Sequence, residues 1–133
     1  MAACLAGKAE VVDFLLSKGA DYTIGEKDGY FPHDGAGFQG RPAVTSVLLK
    51  HNISPDYVHR DGYPPIFRAA WGRTDNHAEV IRILIDEGGV SPTITDARGI
   101  SLLDVASRTG IEKTVEVVQK AIASQKGSPK NEL

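Results

Sequence analysis

Gly35-Ala36-Gly37-Phe38-Gln39-Gly40 spells G-x-G-x-x-G, the spacing that lets a backbone cradle a dinucleotide pyrophosphate. That chemistry needs a buried strand before the first glycine and a βαβ unit around it, and Lys27-Asp28-Gly29-Tyr30-Phe31-Pro32 is no such strand. The same stretch approaches a phosphate-binding P-loop, but Arg41-Pro42 removes both the phosphate-contacting lysine and the magnesium-binding hydroxyl. His33, His51, His59 and His77 have no tight metal-ligand spacing and read as loop or turn residues. Cys4, the single cysteine, reads as a packing residue on a helix of small side chains. No nucleophile stands at recognisable spacing from a base, so no catalytic residue, metal site or bound cofactor is expected, and the chain reads as a non-enzyme. Asn52-Ile53-Ser54 and Lys130-Asn131-Glu132-Leu133 formally resemble secretory-route signals that the N-terminus does not support. Of three Ser-Pro pairs, Ser54-Pro55 and Ser91-Pro92 are explained by turn chemistry, and Ser128-Pro129 alone is expected to be accessible for phosphorylation.

The elements that position these residues repeat. Gly7 and Gly40 stand 33 residues apart, as do Gly29 and Gly62. The run Gly7-Lys8-Ala9-Glu10-Val11-Val12-Asp13-Phe14-Leu15-Leu16 returns at Gly40, at His77-Ala78-Glu79-Val80-Ile81 and at Gly110-Ile111-Glu112-Lys113-Thr114. A fixed period of this size predicts a stacked array, because one such unit cannot bury its apolar face alone. Each copy holds two helical stretches. The second carries an apolar stripe and ends at a residue suited to a left-handed cap: Gly19, Asn52 or Gly88. The first is rich in small residues, allowing close helix approach. Gly35 and Gly37 in the second copy predict a short or frayed helix there, since each costs about 1 kcal/mol relative to Ala. The third copy is longer, with Gly62 and Gly99 standing 37 residues apart, which predicts an insertion around Trp71-Gly72-Arg73-Thr74-Asp75-Asn76 plus one residue at Gly89.

Asp61-Gly62-Tyr63-Pro64-Pro65-Ile66-Phe67-Arg68-Ala69-Ala70, Asp96 to Ala106 and Gly19-Ala20-Asp21 resemble the turn, Thr-Pro-Leu-His and closing segments of ankyrin repeats. The resemblance implies an all-α solenoid of stacked antiparallel helix pairs with short β-hairpin or turn tips. Its four repeats would span about 1–25, 26–58, 59–95 and 96–123, ahead of a disordered polar tail at 124–133. Met1 falls inside the first helix of the first repeat, as in an abbreviated cap or a piece of a longer protein. The exposed side chains Lys113, Glu116, Gln119 and Lys120 suit a closing face.

The resemblance further implies a concave face for another protein, with turn positions Lys27, Asp28, Tyr30, Arg60, Asp61, Tyr63, Arg98 and Ile100. Its helix-end positions are Phe38, Gln39, Trp71, Arg108 and Thr109, and Arg73 lies on the insertion. Tyr, Trp and Arg dominate interface hot spots, so this set predicts a protein or peptide partner with acidic and apolar anchors. A net charge of −2 and a pI near 6.1 argue against nucleic acid. No stretch has the length and apolarity of a membrane span, and one cysteine suits an intracellular location, cytoplasmic or nuclear. The expected function is a protein–protein interaction module with a rigid face. Three alternatives stay open: a clamp that inhibits an enzyme such as a kinase, an aromatic cage for methylated lysine, and a structural spacer. Oligomeric state is left open.

Overall fold

The computed structural model describes residues 1–126, and its described residues are all-helical. The elements are α1 (Ala2–Ala6), α2 (Ala9–Ser17), α3 (Pro32–Gln39), α4 (Pro42–Lys50), α5 (Pro65–Ala70), α6 (Asp75–Asp86), α7 (Leu102–Thr109) and α8 (Glu112–Lys126). Consecutive helices pair, α1 with α2 through α7 with α8, and the pairs line up in two rows. The odd-numbered helices contact one another in order, and so do the even-numbered ones.

Local chemistry sets the helix starts. Proline opens α3, α4 and α5, where a missing N–H costs nothing. The Thr74 side chain accepts from the His77 N–H at the start of α6, and Ser101 does the same for Asp104 at α7. Asn52 adopts φ 60, the left-handed cap expected after α4. After α6 that conformation falls on Gly89, at φ 73, rather than on Gly88.

Three expectations change. The second-copy helix α3 is a complete eight-residue helix, and its glycines permit close approach instead of fraying it. A Cβ on Gly35 would stand 2.6 Å from the Met1 sulfur, and one on Gly37 would stand 2.9 Å from Cβ of Arg68. The absent side chains therefore let α1 and α5 press on α3 from either side. Second, the tips are turns without strands among the described residues, with one isolated bridge between Thr95 and Ser101. Each tip is closed by the same backbone bond: Glu26 to Tyr30, His59 to Tyr63 and Asp96 to Ile100. Third, α8 runs through Lys126, so Ser124, Gln125 and Lys126 of the expected tail are helical, and Ser128 lies outside the described residues.

The apolar core has two parts. Cys4, Val12, Ala36, Val44, Leu48 and Ile53 fill the first two pairs, and Ile66, Phe67, Ile81, Leu84, Leu102 and Val118 belong to the cluster filling the last two. Burying each Val, Leu, Ile or Phe side chain among them contributes about 2 kcal/mol. Buried polar groups include His33, Asp34, Thr45, Arg68 and His77 on the second and third pairs and Thr114 on α8. No helix among the described residues is long and apolar enough to cross a membrane.

Candidate interaction site

Arg68 sits mid-way along α5, facing α3, with 2% of its side chain exposed. A buried guanidinium needs every donor answered. Its Nε donates to Asp34 Oδ1 at 3.1 Å, and its Nη1 and Nη2 donate to Asp61 at 2.8 and 3.0 Å. Asp34 is fully buried, and its other oxygen accepts from the Phe31 N–H at the head of α3. The Asp34 N–H donates to the Tyr57 hydroxyl.

Four rings surround the same cation. Tyr30, Phe38, Tyr63 and Trp71 have centroids 5.1, 5.2, 5.9 and 5.7 Å from the Arg68 guanidinium carbon. Edge-to-face contacts join them in pairs: Tyr30 with Phe38 at 5.3 Å, and Tyr63 with Trp71 at 4.6 Å. The four aromatics singled out in the sequence are thus brought together, with Phe38 and Trp71 still 39% and 37% exposed. The cation they enclose is the chain's own, so a cage awaiting methylated lysine is not supported. Arg68 itself was missed. Its signal was a lone charge inside the apolar run Pro65-Ile66-Phe67-Arg68-Ala69-Ala70, at the position that Gly35 takes one copy earlier.

Desolvation raises the Asp61 pKa, but hydrogen bonds from Arg68 and from the Tyr63 N–H, with the Arg68 charge, outweigh it and hold the carboxyl at about 2. Desolvation likewise opposes the charge on Arg68, and its bonds to Asp61 and Asp34 raise its pKa nonetheless. For a carboxyl whose folded pKa lies below its unfolded value near 4, the stabilisation is complete above about pH 4 and fades as pH falls towards 2. Melting measured from pH 5 to pH 2 should therefore fall more steeply for the parent chain than for Asp61→Asn. Equal slopes would show that this carboxylate does not strengthen the fold.

Beside the ringed arginine lies a groove of about 310 Å³ walled by Tyr63 and Trp71. Ile100 and Val105 give it an apolar lining, and Asp96, Arg98, Arg108 and Thr109 supply polar groups. Arg98 hydrogen-bonds the Tyr63 hydroxyl and lies 5.0 Å from its ring, linking the third tip to the second. Arg73 donates to the Thr109 carbonyl at 3.3 Å, fixing the insertion against the end of α7. Six residues expected to face a partner (Tyr63, Trp71, Arg98, Ile100, Arg108 and Thr109) meet at this groove. Asp61, Tyr30 and Phe38 belong to the Arg68 cluster instead. Lys27, Asp28, Gln39 and Arg60 are exposed and join neither group.

The histidines are ties between repeated units. His59 Nε2 meets the Asp28 carbonyl at 2.8 Å while its ring stacks on Tyr30 at 4.2 Å. His77 Nε2 meets the Phe38 carbonyl at 2.9 Å, and His51 Nε2 meets Asp13 at 2.7 Å. His33 and His77 are buried helix residues, contrary to the loop expectation. Burial pushes the His33 pKa down, keeping it neutral with Nε2 at the Ile53 carbonyl. No metal-ligand cluster occurs among the described residues. Cys4 is buried in α1, as expected of a packing residue, and burial raises its thiol pKa.

A larger cleft of about 840 Å³, not foreseen, is lined by α6, α8 and the loop Gly89-Val90-Ser91-Pro92. Its charges largely answer one another: Arg82 pairs with Glu79 and Asp86, and Lys113 stands 4.0 Å from Glu116. The smaller groove instead sets two arginines beside aromatic walls.

No known family model matches the chain. It is 39% identical over 82 residues to the E3 ubiquitin-protein ligase Ufd4 of Drosophila melanogaster, a match covering 62% of this chain and 3% of that protein. It is 36% identical over 78 residues to the E3 ubiquitin-protein ligase hecd-1 of Caenorhabditis elegans, covering 59% and 3%. The chain therefore spans a small fraction of the length of these relatives. These findings overturn the ankyrin assignment: the sequence similarity found leads to segments of two ubiquitin ligases and to no ankyrin family. The residues that carried the resemblance are short turn and small-residue patterns, which stacked helix pairs in general require.

Proposed function

We propose that this chain is a protein-interaction region of the ubiquitin pathway, and that the groove at Tyr63 and Trp71 seats a segment of a partner protein. The observation that carries the reading is the meeting of Trp71, Tyr63, Arg98 and Arg108, from two successive units of the chain, at one groove. A partner carboxylate would bridge to Arg98 or Arg108, and an apolar side chain would enter against Trp71 and Ile100. The stacked helix pairs hold these groups before the partner arrives, which limits the ordering cost of association. Similarity to two E3 ubiquitin-protein ligases supports a partner that such ligases modify or assemble with, inside the cell. On this reading the chain itself binds and carries out no reaction.

Trp71 is the only tryptophan, so its emission reports on the groove directly. Short synthetic peptides pairing Asp or Glu with Phe, Leu or Tyr should shift that emission saturably. Arg98→Ala/Arg108→Ala should weaken binding at least about tenfold, an effect of roughly 1.4 kcal/mol. Peptides with Asn or Gln in place of the acids should bind correspondingly less. Absence of any saturable shift, or affinity indifferent to both changes, would refute the assignment of the groove.

A further inference from the structure

Position by position, the second helices of the four units are equivalent, with Val11 matched by Val44, Val80 and Thr114, and Leu15 by Leu48, Leu84 and Val118. Val44, Val80 and Thr114 are 0%, 1% and 0% exposed, and Leu48, Leu84 and Val118 are 0%, 1% and 0%. Val11 and Leu15, by contrast, are 47% and 44% exposed, and Phe14 beside them is 60% exposed. Helix α8 decides which neighbour does the covering. No helix pair follows it among the described residues, yet Thr114 and Val118 are fully buried. These positions are therefore covered from the side of the preceding pair. Helix α2 has its own partner α1 and its following neighbour α4, and lacks only that preceding pair.

The geometry points to the α1–α2 end as a docking surface for one further helix pair of this chain's own repeat chemistry, stacked ahead of α1 as α1–α2 is stacked on α3–α4. The inference is independent of the groove and goes beyond it. An occupant of this kind brings an apolar second-helix stripe onto Val11, Phe14 and Leu15, and a small-residue first helix beside α1. A second copy stacking head to tail fits poorly. The outward side of α8 offers Glu112, Lys113, Glu116, Gln119 and Lys120, which would bury charge against these apolar side chains.

The test extends the chain by its own unit. Met1 is equivalent to Phe67, so a copy of residues 32–66 placed ahead of Met1 keeps the register. In the chain alone, Leu15→Glu should move the melting midpoint by less than about 2 °C, as for a surface position. In the extended chain the same change should lower it by roughly 10 °C or more, because a carboxylate is then buried. Amide exchange in α2 should also slow in the extended chain. An equal Leu15→Glu effect in both proteins, or α2 exchange unchanged by the extension, would overturn the inference. So would a dimer of the chain alone that Leu15→Glu dissolves, since the face would then belong to a second copy.

Discussion

Arg68→Met should lower the unfolding free energy by about 3–5 kcal/mol, a fall of roughly 10–20 °C in melting midpoint for a chain of this size. The loss does not come from the attraction between Arg68 and Asp34 as such. Removing the guanidinium leaves Asp34 fully buried with its charge answered only by the Phe31 N–H, and the four rings close around a methionine without cation–π attraction. Asp34→Asn in the Arg68→Met background should therefore recover part of the loss, because a neutral amide is cheaper to bury. Thermal and urea unfolding followed by circular dichroism measure both effects. A single variant melting within about 2 °C of the parent would mean that the buried pair contributes nothing net, and recovery by Asp34→Asn would then be absent too.

Phe67→Ala should cost about 3–5 kcal/mol, the range for deleting a fully enclosed aromatic ring. Phe67 is 0% exposed within the core of the last two pairs, and its ring lies 5.8 Å from that of Tyr63. The cavity therefore opens directly behind one wall of the groove. Two readouts separate the consequences: urea unfolding gives the stability loss, and Trp71 emission in the still-folded fraction shows whether Tyr63 has moved. A loss under about 1 kcal/mol would mean that the core collapses around the gap, leaving the groove intact.

The 33-residue period was legible because stacking imposes the same burial on the same positions in each copy that packs against a preceding one. Helix α3 was misjudged because propensity treats Gly35 and Gly37 as weak helix formers, whereas their value is close packing by α1 and α5, which no local pattern reveals. The C-cap after α6 slipped by one residue because Gly88 and Gly89 are chemically alike and φ alone distinguishes them. The aromatic positions were singled out through the resemblance to ankyrin repeats, and their organising centre was not singled out at all. Arg68 reads as one arginine among several until tertiary contacts place Asp34 from one copy and Asp61 from the next around it. The charged cleft between α6 and α8 was hidden for the same reason, since its residues come from helices about 30 positions apart and each looks like ordinary solvated charge. Family membership was over-read from short motifs: turns and small residues recur wherever helix pairs stack, and they specify geometry more than ancestry.

On the proposed function, the Tyr63–Trp71 groove holds a partner protein. The most direct test captures interacting proteins from cell lysate with the parent chain, with Trp71→Ala/Arg108→Glu, and with Lys113→Glu/Lys120→Glu at the other cleft, all three first shown to melt alike. The expected result is a defined set of proteins, including ubiquitin-pathway components, lost with Trp71→Ala/Arg108→Glu and retained with Lys113→Glu/Lys120→Glu. An unchanged set with the first variant, or losses confined to the second, would contradict the account and move recognition to the α6–α8 cleft or off both surfaces.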